Sequence, residues 1–156
     1  MRAGDGGRYL FPALPRHMHV MKKILLIDDD PLVAQLMGML VEKFSGEPYV
    51  LEHAADYAGG LSRLLVGSYA LCLLDYRLGT GDGLELLREA KAKKCPTPII
   101  LLTGDTREET DLAAMEGGAA DFIIKLNLKP DELERRIDYA IKTAEVVNKL
   151  QAKKTS

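Results

Sequence analysis

Four short apolar runs in this chain each stop at a polar side chain. Lys23–Ile27 ends at Asp28, Asp29 and Asp30; Leu71–Leu74 ends at Asp75; Pro98–Leu102 ends at Thr103; and Phe122–Ile124 ends at Lys125. Lys23–Ile27 is apolar without alternation, the pattern of a strand buried on both faces. A further run, Tyr49–Ala54, carries Glu52 and His53 and suits a less buried edge strand. His53 has no partner at metal-ligand spacing and reads as a partly exposed edge residue.

Helical patterns separate the strands. Pro31 suits a first helical turn, and Val33, Leu36, Met37, Leu40, Val41 and Phe44 follow the helical period until Gly46 and Pro48. Asp56 can cap a second helix with Leu61, Leu64 and Leu65 inside, although Gly59 and Gly60 weaken it by about 1 kcal/mol each. Asp82 can cap a helix over 83–94 with Leu84, Leu86, Leu87 and Ala90 inside. Asp105 and Thr106 open a fourth helix, which Gly117 and Gly118 stop. Pro130 opens the last, with Leu133, Ile137, Ala140, Ile141 and Ala144 on its apolar face. Five strands alternating with five helices predict an α/β fold, a doubly wound parallel sheet with right-handed crossovers.

In such a sheet, ligands bind outside the carboxyl ends of the strands. Asp28, Asp29 and Asp75 gathered there would repel by about 4 kcal/mol per close pair at an effective dielectric near 20. A divalent cation relieves this, and all-oxygen ligands favour Mg²⁺. Asp75 is the natural nucleophile toward phosphorus, Lys125 offers a compact positive charge to a phosphoryl oxygen, and Thr103 offers a hydroxyl donor. Gly104 leaves room for the incoming group. Catalysis at such a site is mostly positioning.

Composition narrows the alternatives. The chain has 156 residues, enough for one domain with short tails, and a net charge of −2 from 21 basic and 23 acidic residues. These are interspersed, so no basic patch predicts a nucleic-acid partner, and the apolar runs are too short to span a membrane. Cys72 and Cys95 lack metal or redox spacing, which fits a reduced, cytoplasmic compartment. Residues 1–21 are rich in Gly, Pro, Arg and His and read as an N-terminal extension without the apolar core of a secretory signal. His17 and His19 within it read as solvated.

The motifs Ile27–Pro31, Leu74–Asp75 with Gly81–Gly83, Leu102–Gly104 and Gly118–Lys125 together resemble the receiver domain of two-component response regulators. The resemblance covers about 22–143, and we place the receiver unit at 22–144 with 145–156 as a helical extension. It implies a flavodoxin-like strand order of 2-1-3-4-5 with the site at the switch point. It also implies a phosphohistidine on a sensor histidine kinase or phosphotransfer protein as donor to Asp75. Asp29, Asp75 and the backbone carbonyl of Arg77 would be direct Mg²⁺ ligands, with Asp28 acting through water. Thr103 and Phe122 would form the switch, with the fourth helix, fifth strand and fifth helix as the readout face. The implied role is a signalling phosphoacceptor, not an enzyme.

Two positions depart from the family pattern. Leu126 and Gly79 stand where receivers commonly have proline, so the loops after Lys125 and Asp75 are expected to differ. Arg77 and Asp105, two residues beyond Asp75 and Thr103, are expected to pair across the site. The last helix, read as 131–152, would run about 33 Å and outreach the sheet. Val146, Val147 and Leu150 then end in solvent or pair with a second protomer. Two rivals remain: a pseudo-receiver that takes no phosphate, against which Asp75, Thr103 and Lys125 argue, and a small Mg²⁺-dependent phosphatase. The latter usually has a second acid two residues after the nucleophile, where this chain has Arg77.

Overall fold

A computed structural model describes residues 21–79, 81–104 and 108–155. Five strands, β1 (Lys22–Ile27), β2 (Tyr49–Ala54), β3 (Leu71–Asp75), β4 (Ile99–Thr103) and β5 (Asp121–Ile124), pair in parallel in the order β2-β1-β3-β4-β5. This is the expected order, with the polar β2 at an edge. Five helices alternate with them: α1 (Pro31–Glu42), α2 (Tyr57–Val66), α3 (Gly83–Ala92), α4 (Glu108–Glu116) and α5 (Pro130–Thr155). The expectations placed on residues 1–20 and on Asp105 and Thr106 fall outside the described residues.

Each face of the sheet carries its own apolar layer. Leu25, Ile27, Cys72, Leu74, Ile99 and Leu101 pack with Leu64, Leu86, Leu87 and Ala114 on the side of α2, α3 and α4. Ile24, Leu26, Leu71, Leu73, Ile100 and Leu102 pack with Met37, Leu40, Val41, Leu133 and Ile137 on the side of α1 and α5. Central strands are therefore apolar at every position, because alternate side chains enter alternate layers.

The predicted caps form: Asp56 and Asp82 accept from the amides of Gly59 and Glu85 at the starts of α2 and α3, and the structure adds a third, Asp30, which accepts from the Leu32 amide at the start of α1. Two side chains assigned to inner stripes are exposed, Leu36 and Leu65. Each lies about 100° around its helix from a buried neighbour, Met37 or Leu64, so the covered stripes are narrower than the apolar pattern suggests. Gly60 proves to be a contact residue and not merely a weak point. It is buried, and a Cβ there would lie 2.6 Å from Ile27 Cγ2, so its absence lets α2 approach β1.

Between β3 and α3 the chain forms a two-residue antiparallel hairpin, Arg77–Leu78 with Gly81–Asp82. It was not foreseen, because two residues carry no period; buried Leu78 anchors it and Gly79, at φ +62°, begins the turn. At the other end of the sheet, Glu134 of α5 accepts from the amides of Ser45 (3.0 Å) and Gly46 (2.7 Å). Tyr49 donates to Asp138 at 2.6 Å, so α5 holds the α1–β2 connection twice. At 26 residues, α5 extends about 39 Å, and Val146, Val147 and Leu150 are exposed as expected. No helix among the described residues is long and apolar enough to cross a membrane.

Gly60→Ala is expected to destabilise the chain by about 1–2 kcal/mol, the overpacking against Ile27 outweighing better helix propensity. Urea unfolding checks this, and a stabilised variant would refute the packing account.

Candidate functional site

The register brings the four strand ends together. Ile27 pairs with Leu74, Asp75 with Leu102, and Thr103 with Ile124, so Asp28, Asp75, Thr103 and Lys125 end adjacent strands at one rim. Backbone bonds run past the strands: Tyr76 N–H donates to Leu102 O at 2.8 Å and Lys125 N–H to Thr103 O at 2.7 Å.

The consecutive acids divide their tasks. Asp30 caps α1, accepting from the Leu32 amide at 2.9 Å, and stands at the edge of the cleft. Asp28 is fully buried, and its Oδ1 accepts from the Asp30 amide at 2.9 Å. Asp29 is exposed, lines the cleft and joins Asp28 and Asp75 in a triad whose ligand oxygens lie within 4.8 Å of one another. Lys125 Nζ sits 3.3 Å from Asp75 Oδ1 and 3.9 Å from Asp28 Oδ2. The latter oxygen is buried with no hydrogen-bond partner. Burial pushes the Asp28 carboxyl up from 3.8 to about 6; the Asp30 amide opposes this, and the Asp75 charge adds to it. Burial raises Asp75 as well, against the lowering charge and hydrogen bond of Lys125 and a bond from the Arg77 amide.

Three convergent carboxylates, one with an orphaned buried oxygen, fit a hard divalent cation, whose charge would offset their repulsion. They open on a cleft of about 580 Å³ that Asp29, Asp75, Tyr76, Arg77, Gly79, Thr103, Gly104 and Lys125 help line. A Cβ at Gly104 would meet nothing within 4 Å, so the mouth is open there. A Cβ at Gly83 would overlap the Asp75 carbonyl; Gly83 lets α3 start directly behind Asp75, and its amide donates to Tyr76 O at 2.7 Å. Thr103 is buried at the cleft. Phe122 does not reach the cleft wall; it is half-buried against the layer under α2, α3 and α4.

Both departures from the family pattern lie at the rim. Gly79 brings its left-handed backbone close to Asp29, where a Cβ would stand 3.0 Å from Oδ2. The Lys125–Leu126 peptide bond is trans, Leu126 is 76% exposed, and Asn127 turns the chain at φ +59°. Sequence reasoning missed Tyr76 as a lining residue and His53 as a neighbour of the acids: His53 Nε2 lies 2.7 Å from the Asp28 carbonyl oxygen. Only the position of His53 next to a strand end hinted at this.

Residues 24–138 match the family described as the response regulator receiver domain. The chain is 32% identical over 122 residues to the transcriptional regulatory protein ResD of Bacillus subtilis, covering 78% of this chain and 49% of that protein. Against the transcriptional regulatory protein FixJ of Bradyrhizobium diazoefficiens it is 31% identical over 129 residues, covering 83% and 61%. A CheY-like response regulator receiver domain protein from Methanospirillum hungatei JF-1 superposes with a TM-score of 0.71 at 28% identity, covering 81% of this chain and 98% of that one. The chain thus spans about half the length of the curated relatives it matches.

In EDTA, folding stability is expected to fall as pH rises from about 4 to about 6. Across that window the folded chain keeps the Asp28 proton while the unfolded chain has lost it, so rising pH favours unfolding. The loss is complete above about 6, on the order of 3 kcal/mol. Urea midpoints against pH measure it, and Asp28→Asn should flatten this part of the profile.

Proposed function

The chain belongs to the response regulator receiver family, and from that premise we propose that it is the phosphoacceptor unit of a two-component system, with Asp75 as the accepting side chain. The observation that carries this reading is Asp75 itself: a nearly buried carboxylate at the cleft floor, 3.3 Å from Lys125 and inside a triad of acids. We take the unit as 22–144, with 145–156 as a C-terminal extension. Its donor is a phosphohistidine on a sensor histidine kinase or phosphotransfer protein.

An Asp75 oxygen attacks phosphorus, the phosphorus–nitrogen bond to the donor imidazole breaks, and its electron pair returns to the ring nitrogen. The product is an acyl phosphate on Asp75. Asp28, Asp29, Asp75 and the Arg77 backbone carbonyl would hold Mg²⁺, which supplies positive charge to the transferring phosphoryl oxygens. Lys125 exchanges its contact with Asp75 for one with a phosphoryl oxygen, and the Thr103 hydroxyl donates to another. Both residues are tied by the Lys125 amide to Thr103 carbonyl bond, so they move as a pair. Phe122, on the strand between them and α5, follows Thr103 and resets the α4–β5–α5 face. The phosphoryl group thereby biases an existing two-state equilibrium.

Exposed apolar residues support a docking surface for the donor beside the cleft. Leu32, Leu36 and Met39 form an exposed apolar line at helical spacing on α1, and Leu126 stands 76% exposed at the opposite rim. Two apolar flanks around a reactive carboxylate suit a helical partner that brings its histidine between them. A phosphatase reading fits less well, since Arg77 stands where a second acid would protonate the leaving group. The exposed Val146, Val147 and Leu150 offer α5 a surface for a second protomer.

Incubation with acetyl phosphate and Mg²⁺ is expected to add one phosphoryl group by intact mass, and Asp75→Asn is expected to abolish it. An adduct that persists in Asp75→Asn, or a wild type that takes none, would overturn this function.

A further inference from the structure

We propose that His53 is a positioning residue for the acidic triad: its ring clamps the backbone that carries Asp28 and Asp29, and so sets the site's affinity for a divalent cation. This rests on the reading of that triad as a cation site. The β1–β2 ladder ends at Ile27 paired with Ala54, so Asp28 lies one residue past the regular register. Two bonds nevertheless hold it. Asp28 N–H donates to Ala54 O at 3.1 Å, and His53 Nε2 lies 2.7 Å from Asp28 O. A carbonyl only accepts, so Nε2 carries the proton and donates. With Oδ1 taken by the Asp30 amide, the backbone amide, carbonyl and one side-chain oxygen of Asp28 are all fixed, and the remaining Oδ2 is left facing Lys125.

His53 is itself held. Arg63 of α2 donates from Nη1 to the His53 carbonyl at 2.9 Å and pairs through Nη2 with Glu52 at 2.7 Å, while Tyr69 donates to the same Glu52 oxygen at 2.7 Å. The polar residues that make β2 look like a plain edge strand thus form a brace. It runs from α2 across the sheet edge to the loop bearing two of the three acids. Repulsion within the triad pushes that loop outward, and the clamp resists it before any cation arrives. Partners of metal ligands act in this way by fixing ligand orientation, and losing one costs about 10–100-fold in affinity.

The experiment is calorimetric titration of the full chain with MgCl₂, for wild type, His53→Leu and His53→Gln, with amide hydrogen exchange of residues 28–30 in EDTA. Leu removes the donor at similar volume; Gln restores an N–H at the reach of Nε2. The expected result is Mg²⁺ binding weakened about tenfold and faster exchange at 28–30 in His53→Leu, with both returned toward wild type in His53→Gln. Wild-type affinity in His53→Leu, or a Gln variant as weak as the Leu variant, overturns the clamp alone. A wild-type chain that takes up no Mg²⁺ overturns the cation reading and the clamp together, so the two failures are told apart.

Discussion

Everything at the rim of this sheet answers to one electrostatic fact: three carboxylates converge within 4.8 Å beside one ammonium. Like charges at such separations repel by about 4 kcal/mol per pair at an effective dielectric near 20. Lys125 offsets part of this, since it contacts both Asp75 and Asp28, but one positive charge cannot balance three negative ones. Burial raises the Asp28 and Asp75 carboxyls, and the charge of the neighbouring acids adds to the shift. The arrangement persists because strongly apolar strands beneath it are buried in two layers, and their burial stabilises the fold enough to carry a strained rim.

That division explains what the sequence disclosed. Strand identity and order were legible because Ile24–Ile27, Leu71–Leu74 and Ile99–Leu102 are apolar throughout, and only a sheet covered on both faces demands that. The acids and Lys125 were legible because each interrupts such a run, and a charge at a strand end has few reasons to be there. What stayed hidden is tertiary. Leu36 and Leu65 fit a helical stripe in sequence, yet the width of the covered stripe is set by the sheet and not by the helix. The Gly81–Asp82 hairpin is too short for any period. Gly60 looked like a helix-weakening residue until Ile27 was placed against it. His53 looked like edge polarity because its partner is a backbone carbonyl, which no side-chain pattern announces.

The same geometry limits how a signal can leave the site. Thr103 and Lys125 are joined by a backbone hydrogen bond at the ends of β4 and β5, so a displacement of either is felt along β5. At its other end β5 is pinned to α5: Arg136 reaches Asp121 with Nε at 3.0 Å and also contacts Glu132. β5 is thus a short strand of four residues held at both ends. Phe122 is the first side chain after that pin, half-buried against the layer under α2, α3 and α4. The rim is thus linked to α5 through β5, and the β1 side is linked to α2 through Arg63, Glu52 and His53. In the proposed switch the strand that ends at Lys125 would move, while the hydrogen bonds from α2 and β2 keep Asp28 in place.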